Sequence, residues 1–331
     1  MVITMAHGGG GKTSAELFSD LFGKYFRNDI LDKMEDAAVF ELNGRIAFST
    51  DSYVVEPLIF KGGDIGKLAV CGTVNDLLMM GAEPGYIACG FILEEGLSLE
   101  LLEKIVGSMA ETARALGVKI VAGDTKVIES RTKTPGGGLY INTSGIGVIP
   151  CGRDVGASNM KEGDAVLASG NLGDHHACIL SARMEIENGI KSDCACLGDV
   201  VKALFDGGIN VRTMRDVTRG GLGTVLNELA ESSGCGIEIE ENSIPVGGEV
   251  KGLCDILGLD PLYMGCEGRM IAVLPMREAE KAAALMKTKG GAENAVIIGK
   301  VVSGKGVVMK TRLGGSRAID MLYGEGLPRI C

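Results

Sequence analysis

A two-domain α+β fold is the prediction, and three observations carry it. The chain has 331 residues, enough for about two domains. Both halves mix helical and strand-like segments without the one-to-one βα alternation of a doubly wound sheet. Between them lies "CGRDVGASNMKEGD" (151–164), polar and glycine-containing, as a domain boundary is. With 46% hydrophobic residues and no Trp, the core has to be packed by aliphatic side chains, and the 51 glycines permit close backbone approach.

Each element follows from local pattern. The start, "MVITMAHGGGGK", lacks a charged stretch ahead of an apolar one and does not read as a secretory leader. "GRIAFSTDSYVV" (44–55), rich in β-branched and aromatic residues, predicts a strand running into a turn. Residues 63–83 place Leu68, Val70, Val74, Leu77 and Leu78 at helical spacing. A strand follows at 85–93, then a helix over 98–117 opened by Ser98. Strands at 118–122 and 139–149 complete the first half.

The second half opens on a strand (164–170), followed by helices at 174–188 and 198–206. "GGLGTVLNELAESSG" (220–234) starts on glycines and keeps a long helical period. Residues 265–275 lead into a strand, and 276–290 form an amphipathic helix stopped by Gly290 and Gly291. Strands at 295–302 and 306–310 close the pattern, which then fades. The expected divisions are a glycine-rich segment over 1–42, a first domain over 43–155, a second over 156–310, and a mobile tail over 311–331. A tail of about twenty residues reaches roughly 65–75 Å when extended, so it can visit a distant site.

Composition excludes several classes. The net charge is −10 with no basic run, against the electrostatics of nucleic-acid binding. No apolar run is long enough to span a bilayer, so no membrane association is expected. Ten Cys in a chain this long do not make a small disulfide scaffold. Cys194 and Cys196 are poorly spaced for zinc, and only three His could help. Reduced thiols in a soluble cytoplasmic protein are the expectation.

Candidate chemistry begins at "AHGGGGKTS" (6–14). Gly9, Gly10, Gly11 and Lys12 come close to a phosphate-cradling loop. Only "VITM" precedes them, so a flap over phosphates bound elsewhere is expected rather than a P-loop. The acids come next: Asp36 in "MEDAAVF", Asp51 in "STDSYVV", Asn75-Asp76 in "GTVNDLLMMGAEP", Asp124 in "AGDTKV" and Asp216 in "RDVTRGG". Asp76 interrupts an otherwise apolar helix, where an unpaired carboxylate would be costly. Converging acids would make oxygen sites for Mg²⁺, reconciling an acidic chain with a triphosphate. Lys126 and Glu267, each in a glycine-bounded context, could tune one another and move protons, though spacing alone favours a surface ion pair or no contact. His175-His176 could contact a phosphate or simply start a helix. Cys331, taken alone, could be no more than a frayed end.

Together, "AHGGGGKTS", "EDAAVF", "STDSYVV", "GTVNDLLMMGAEP", "AGDTKV", "RDVTRGGL", "GCEGR" and the terminal "LPRIC" resemble the HypE family of hydrogenase maturation proteins. That family lies in the superfamily of aminoimidazole ribonucleotide synthetase and selenophosphate synthetase. The resemblance runs from residue 6 to residue 331. It implies a PurM-like fold whose N-terminal domains pair into a homodimeric β-barrel, with ATP and Mg²⁺ in a cleft between the two domains. It implies ATP-dependent dehydration of an S-carbamoyl group on the protein's own Cys331 to a thiocyanate. A HypF carbamoyltransferase would load the thiol, and a HypC–HypD complex would receive the cyano group on iron for the [NiFe]-hydrogenase centre.

By match to the family's motifs, Asp36, Asp51, Asp76 and Asp216 are the implied metal acids. Gly9, Gly10, Gly11, Lys12, Asp51, Asn75, Asp124 and Asp216 are the implied nucleotide-binding residues. Lys126 and Glu267 would assist deprotonation of the carboxamide, and Cys331 is the carrier. Gly324 and Gly326 would hinge its tail. Two other readings stay open at this stage: an ATP-dependent kinase or cyclo-ligase acting on a free small molecule, and a non-catalytic nucleotide-sensing scaffold.

Overall fold

The computed structural model describes residues 2–9, 12–34, 37–130 and 138–321. The first residues form a strap: Val2 makes an isolated bridge to Ser98, and the buried Ile3 donates its N–H to Leu97 O (2.7 Å). Helix α1 (Lys12–Leu17) continues through a π-helical turn, Phe18–Gly23, into α2 (Lys24–Phe26). Then follow β1 (Arg45–Tyr53), β2 (Ile59–Phe60), β3 (Gly63–Asp64), α3 (Ile65–Met79), β4 (Glu83–Glu94), α4 (Leu99–Ala115), β5 (Lys119–Ile128) and β6 (Leu139–Ile149). The first sheet runs β1-β6-β4-β5, with only β4 and β5 parallel.

Helix α3 is the hinge piece of the architecture. Asp64 caps it, accepting the N–H groups of Gly66 (2.8 Å) and Lys67 (3.0 Å). Thirteen of its fifteen residues are buried, so it is apolar on nearly every side and has to lie between two layers. One layer is the first sheet. There Gly72 lets the Tyr53 ring lie directly on the helix; a Cβ at that position would overlap the Tyr53 hydroxyl. The outer layer is the second domain. The opposite face of the sheet leaves Ile46, Phe48 (66%) and Ile92 exposed.

The second domain contains β7 (Asp164–Ala168), α5 (Asp174–Arg183), α6 (Gly198–Asp206), β8 (Thr213–Asp216), α7 (Gly221–Ser233), β9 (Gly236–Glu240), α8 (Gly248–Leu257), β10 (Met270–Pro275), α9 (Ala279–Lys287), β11 (Val296–Val302), β12 (Val307–Lys310) and β13 (Ser316–Ile319). Its sheet runs β13-β12-β9-β11-β7-β10-β8. The period of two along β7 sends Ala165 and Leu167 into a core shared with the first domain, and Val166 and Ala168 into a second core with α7. A strand covered on both faces reads as a continuous apolar run, which is how β10 was legible.

Three differences from the sequence-based expectation matter. Strand β5 extends to Ile128, so Asp124 and Lys126 sit within a strand rather than beyond one. Short β8 and β9 and helix α8 add elements that the pattern did not announce. The fold also does not end at 310. Strand β13 pairs with β12 (Val308 opposite Ala318), and Tyr263 donates its hydroxyl to Asp320 O (2.8 Å), so the expected tail of 311–331 begins inside the sheet. An edge strand with one buried residue, Ile319, carries almost no apolar alternation. Among the described residues no helix is long and apolar enough to cross a membrane, and the nine described cysteines are free.

Candidate functional site

The two domains are clasped at Asn75. Its side chain, 2% exposed, donates Nδ2 to Ala195 O (3.0 Å) and accepts the Leu197 N–H at Oδ1 (2.8 Å). Each of those backbone groups would be stranded without it, at a cost of about 1–3 kcal/mol. Asn75, expected to touch nucleotide, is therefore engaged with the second domain's backbone. What it does for the site is to hold its neighbour Asp76 at the seam.

Acids from both domains gather there. Ser49 and Asp51 share one face of β1, and Ser49 Oγ donates to Asp76 Oδ2 at 2.5 Å. Asp216 ends β8, the edge strand of the large sheet that packs against α3. A cavity of about 220 Å³ between them is lined by Ser49, Asp76, Arg215 and Asp216 among apolar neighbours. Burial, and then Asp51, raise the Asp76 carboxyl against the pull of Ser49 and Arg215. Burial, and then Asp76 and Asp51, push Asp216 up to about 7. Both shifts come first from burial and then from like charge, and a cation bound there would oppose each of them.

Among the described residues no three acid, His or Cys side chains are grouped to hold a metal by themselves. Mg²⁺ does not require that, because it binds through one or two carboxylates, waters and phosphate oxygens. The oxygen donors at the seam thus fit Mg²⁺ carried with a phosphate and do not form an all-protein cage.

Glu267, only 6% exposed, belongs to the same neighbourhood. Burial, then Asp51, with Glu267 and Asp76, hold the Tyr53 phenol well above its usual range. Lys126 is elsewhere: its ammonium pairs with Asp124 on the same strand at 2.8 Å, both side chains exposed. The Lys126–Glu267 pairing allowed by the sequence is therefore replaced by a Lys126–Asp124 pair. Strand β5 is the opposite edge of the sheet from β1, three strand spacings or about 14 Å away.

The glycine-rich strap lies with this second group. Gly8 sits so close to Val127 that a Cβ would come within 2.8 Å of its nitrogen. Ser14 Oγ closes the strap on His7 O (2.8 Å). Between strap and sheet is a cavity of about 290 Å³ walled by Phe18, Phe22 and Phe91, with Asp124 and Lys126 also lining it. Gly9 accompanies the strap, and Lys12 pairs loosely with Glu16 along α1 (3.7 Å). Among the described residues no central strand precedes the glycines, so they lack the context of a P-loop. Gly10, Gly11, Asp36 and Cys331 lie outside the described residues.

His175 and His176 are both buried in the first turn of α5. His175 Nδ1 lies 2.8 Å from Ser192 Oγ. Burial pushes them down to about 3 and about 4. Ser49, Arg215 and Asp193 were missed from the sequence. Ser49 was readable, being two residues before Asp51 on a strand, and Arg215 adjoins Asp216.

These shifts fix a pH dependence. Asp216, and Asp193 raised by burial to about 6 against Arg269, bind protons at higher pH folded than unfolded. Their stabilising contribution is complete in acid and is lost as pH rises through about 6 and about 7. The two His act oppositely, destabilising as pH falls below their ordinary 6.5. Near neutral pH the two effects nearly cancel in the unaltered protein, so the test is a difference between variants: relative to the unaltered protein, Asp216→Asn gains Tm as pH rises from about 6 to about 8. A difference that shrinks across that window would contradict the assignment.

Known proteins agree with this architecture. Residues 34–149 match the family model of the AIR synthase related protein, N-terminal domain, and 161–311 that of its C-terminal domain. Carbamoyl dehydratase HypE of Rhodobacter capsulatus is 46% identical over 336 residues, covering 99% of this chain and 98% of the relative. A solved structure of hydrogenase maturation protein HypE in complex with ATP superposes with a TM-score of 0.94 at 45% identity, covering 99% of both chains. The structure of a HypE–HypF complex aligns at a TM-score of 0.81 and 46% identity, over 92% of this chain and 99% of that one. With both domains matched and likeness running the length of the chain, the protein belongs to the carbamoyl dehydratase HypE family of AIR synthase related proteins.

Proposed function

We propose that this chain performs ATP-dependent dehydration of an S-carbamoyl group on its own Cys331, giving a thiocyanate that supplies cyanide to the iron of a [NiFe]-hydrogenase. The observation that carries this reading is the seam. Asp51 raises the Asp76 carboxyl, Asp51 and Asp76 of one domain raise Asp216 of the other, and Glu267 acts with Asp51 and Asp76 on the Tyr53 phenol. Asp51, Asp76 and Asp216, with Asp36, would hold Mg²⁺, which when bound supplies charge neutralisation for the phosphates of ATP.

The chain's own residues then have distinct tasks. Ser49 orients the Asp76 carboxylate. Glu267 takes protons from the carboxamide nitrogen, Lys126 assists with its charge, and the strap with Gly9 covers the phosphates. The carboxamide oxygen leaves with the transferred phosphoryl group, both N–H protons depart, and the C–O bond breaks as C≡N forms. The products are thiocyanate, ADP and phosphate. A poor leaving group has become a good one.

A homodimer would unite the two groups of residues. Strands β1 and β5 are the two edges of the four-stranded sheet, and Ile46, Phe48 and Ile92 leave its outer face apolar. Closing two such sheets edge to edge into a barrel would set β1 of one copy beside β5 of the other. HypF as loading partner is supported by the HypE–HypF complex, and HypC–HypD as acceptor and a cytoplasmic setting complete the proposal.

The test is Cys331→Ala. ADP formation by the protein incubated with HypF, carbamoyl phosphate and ATP is expected to vanish. Turnover that survives would transfer the chemistry to a free small molecule. ATP binding by the unaltered, loaded protein without any turnover would favour a scaffold.

A further inference from the structure

Asp193 is fully buried, its carboxylate 0% exposed, and no step above uses it. Its Oδ1 accepts the backbone N–H of Glu267 at 2.9 Å, and Ala195 N–H donates to Glu267 O at 3.3 Å. Glu267 is thus clamped at both backbone groups by one short stretch, 193–195. Gly268 allows the approach, since a Cβ there would collide with Asp193 O and come within 2.9 Å of Ala195 N. The same stretch is what Asn75 grips at Ala195 and Leu197, one residue from Asp76. On the far side, Cys266 N–H donates to Val217 O (2.8 Å), next to Asp216.

The charge on Asp193 faces Arg269, whose Nε lies 3.7 Å from Oδ2. Arg269 is itself pinned by Asn171 O (2.9 Å) and Gly291 O (2.8 Å), and its Nη2 is 3.7 Å from Asp174. A carboxylate buried this completely is a poor device for stability, because desolvation offsets most of the attraction. Burial raises it to about 6, so it remains costly even with its partner.

We propose that Asp193 is a positioning residue, which holds the Glu267 backbone at a fixed place relative to Asp76 and Asp216. The inference rests on the reading of Glu267 as the base. Removing the clamp frees the segment 265–269 to shift, and a displacement of about 1 Å between base and carboxamide costs on the order of 100-fold in rate. Asp193→Asn keeps an acceptor for the Glu267 N–H while losing the charge opposite Arg269, and it should restore part of the activity.

The experiment compares Asp193→Ala, Asp193→Asn, Glu267→Gln and Asp193→Ala/Glu267→Gln in single-turnover dehydration of the carbamoyl-loaded full-length protein. Melting temperature and ATP dependence are followed in parallel. Asp193→Ala is expected to lower the rate on the order of 100-fold, with KM for ATP moved by less than about threefold. In the Glu267→Gln background it should add no further loss, because it acts through Glu267. Additive losses, or a wild-type rate in Asp193→Ala when Glu267→Gln is inactive, would overturn the inference and leave the base assignment standing. A fully active Glu267→Gln would remove the base assignment and the inference with it. Should Asp193→Ala melt below the assay temperature, Asp193→Leu, of similar size but with no acceptor for the Glu267 N–H, carries the same comparison, and a rate and KM both unaltered there would count against the proposal.

Discussion

Alanine at Asp76 is expected to abolish ATP hydrolysis by the carbamoyl-loaded protein while leaving the fold intact. The carboxylate is raised by Asp51 and itself raises Asp216 across the seam, and Ser49 holds it in place. Losing several kcal/mol of metal-borne charge stabilisation corresponds to a rate decrease on the order of 10³-fold or more. Folding should be spared, because burial and Asp51 already disfavour this charge, so removing it relieves repulsion on Asp216. Phosphate release, Mg²⁺ dependence and Tm together read the outcome. Hydrolysis at the normal rate in a folded Asp76→Ala would refute the metal role.

Glutamine at Glu267 should separate binding from chemistry. The amide retains the shape of the side chain but cannot accept a proton from the carboxamide nitrogen. General-base removal typically costs about 10²–10⁴-fold, so dehydration should fall by that order while ATP affinity changes little. The tail cysteine would then accumulate as the carbamoyl form. A Glu267→Gln variant that dehydrates at the normal rate would place the base elsewhere in the seam.

How far the sequence could carry this differs element by element. Helix α3 was legible because its apolar spacing is dense and Asp76 breaks it, and such a break in a buried helix needs a reason. Asn75 was not legible in its actual task, because an amide reads alike whether it meets a ligand or a backbone 120 residues away. Lys126 and Glu267 share glycine-bounded contexts, yet nothing local encodes that one lies on a sheet edge and the other inside the second domain. Asp193 sits in "KSDCAC", which looks like ordinary polar surface, and only the tertiary fold buries it. Strand β13 failed to register because three of its four residues face water and its pairing partner is all that defines it.

The most direct test of the whole account is the mass of the C-terminal peptide bearing Cys331. The protein is incubated with HypF, carbamoyl phosphate and ATP, and the peptide is measured before and after Mg²⁺ is supplied. The account predicts a carbamoyl adduct that then loses the mass of one water, with one ADP formed per dehydrated adduct. A carbamoyl adduct that persists unchanged while ATP is hydrolysed would contradict it.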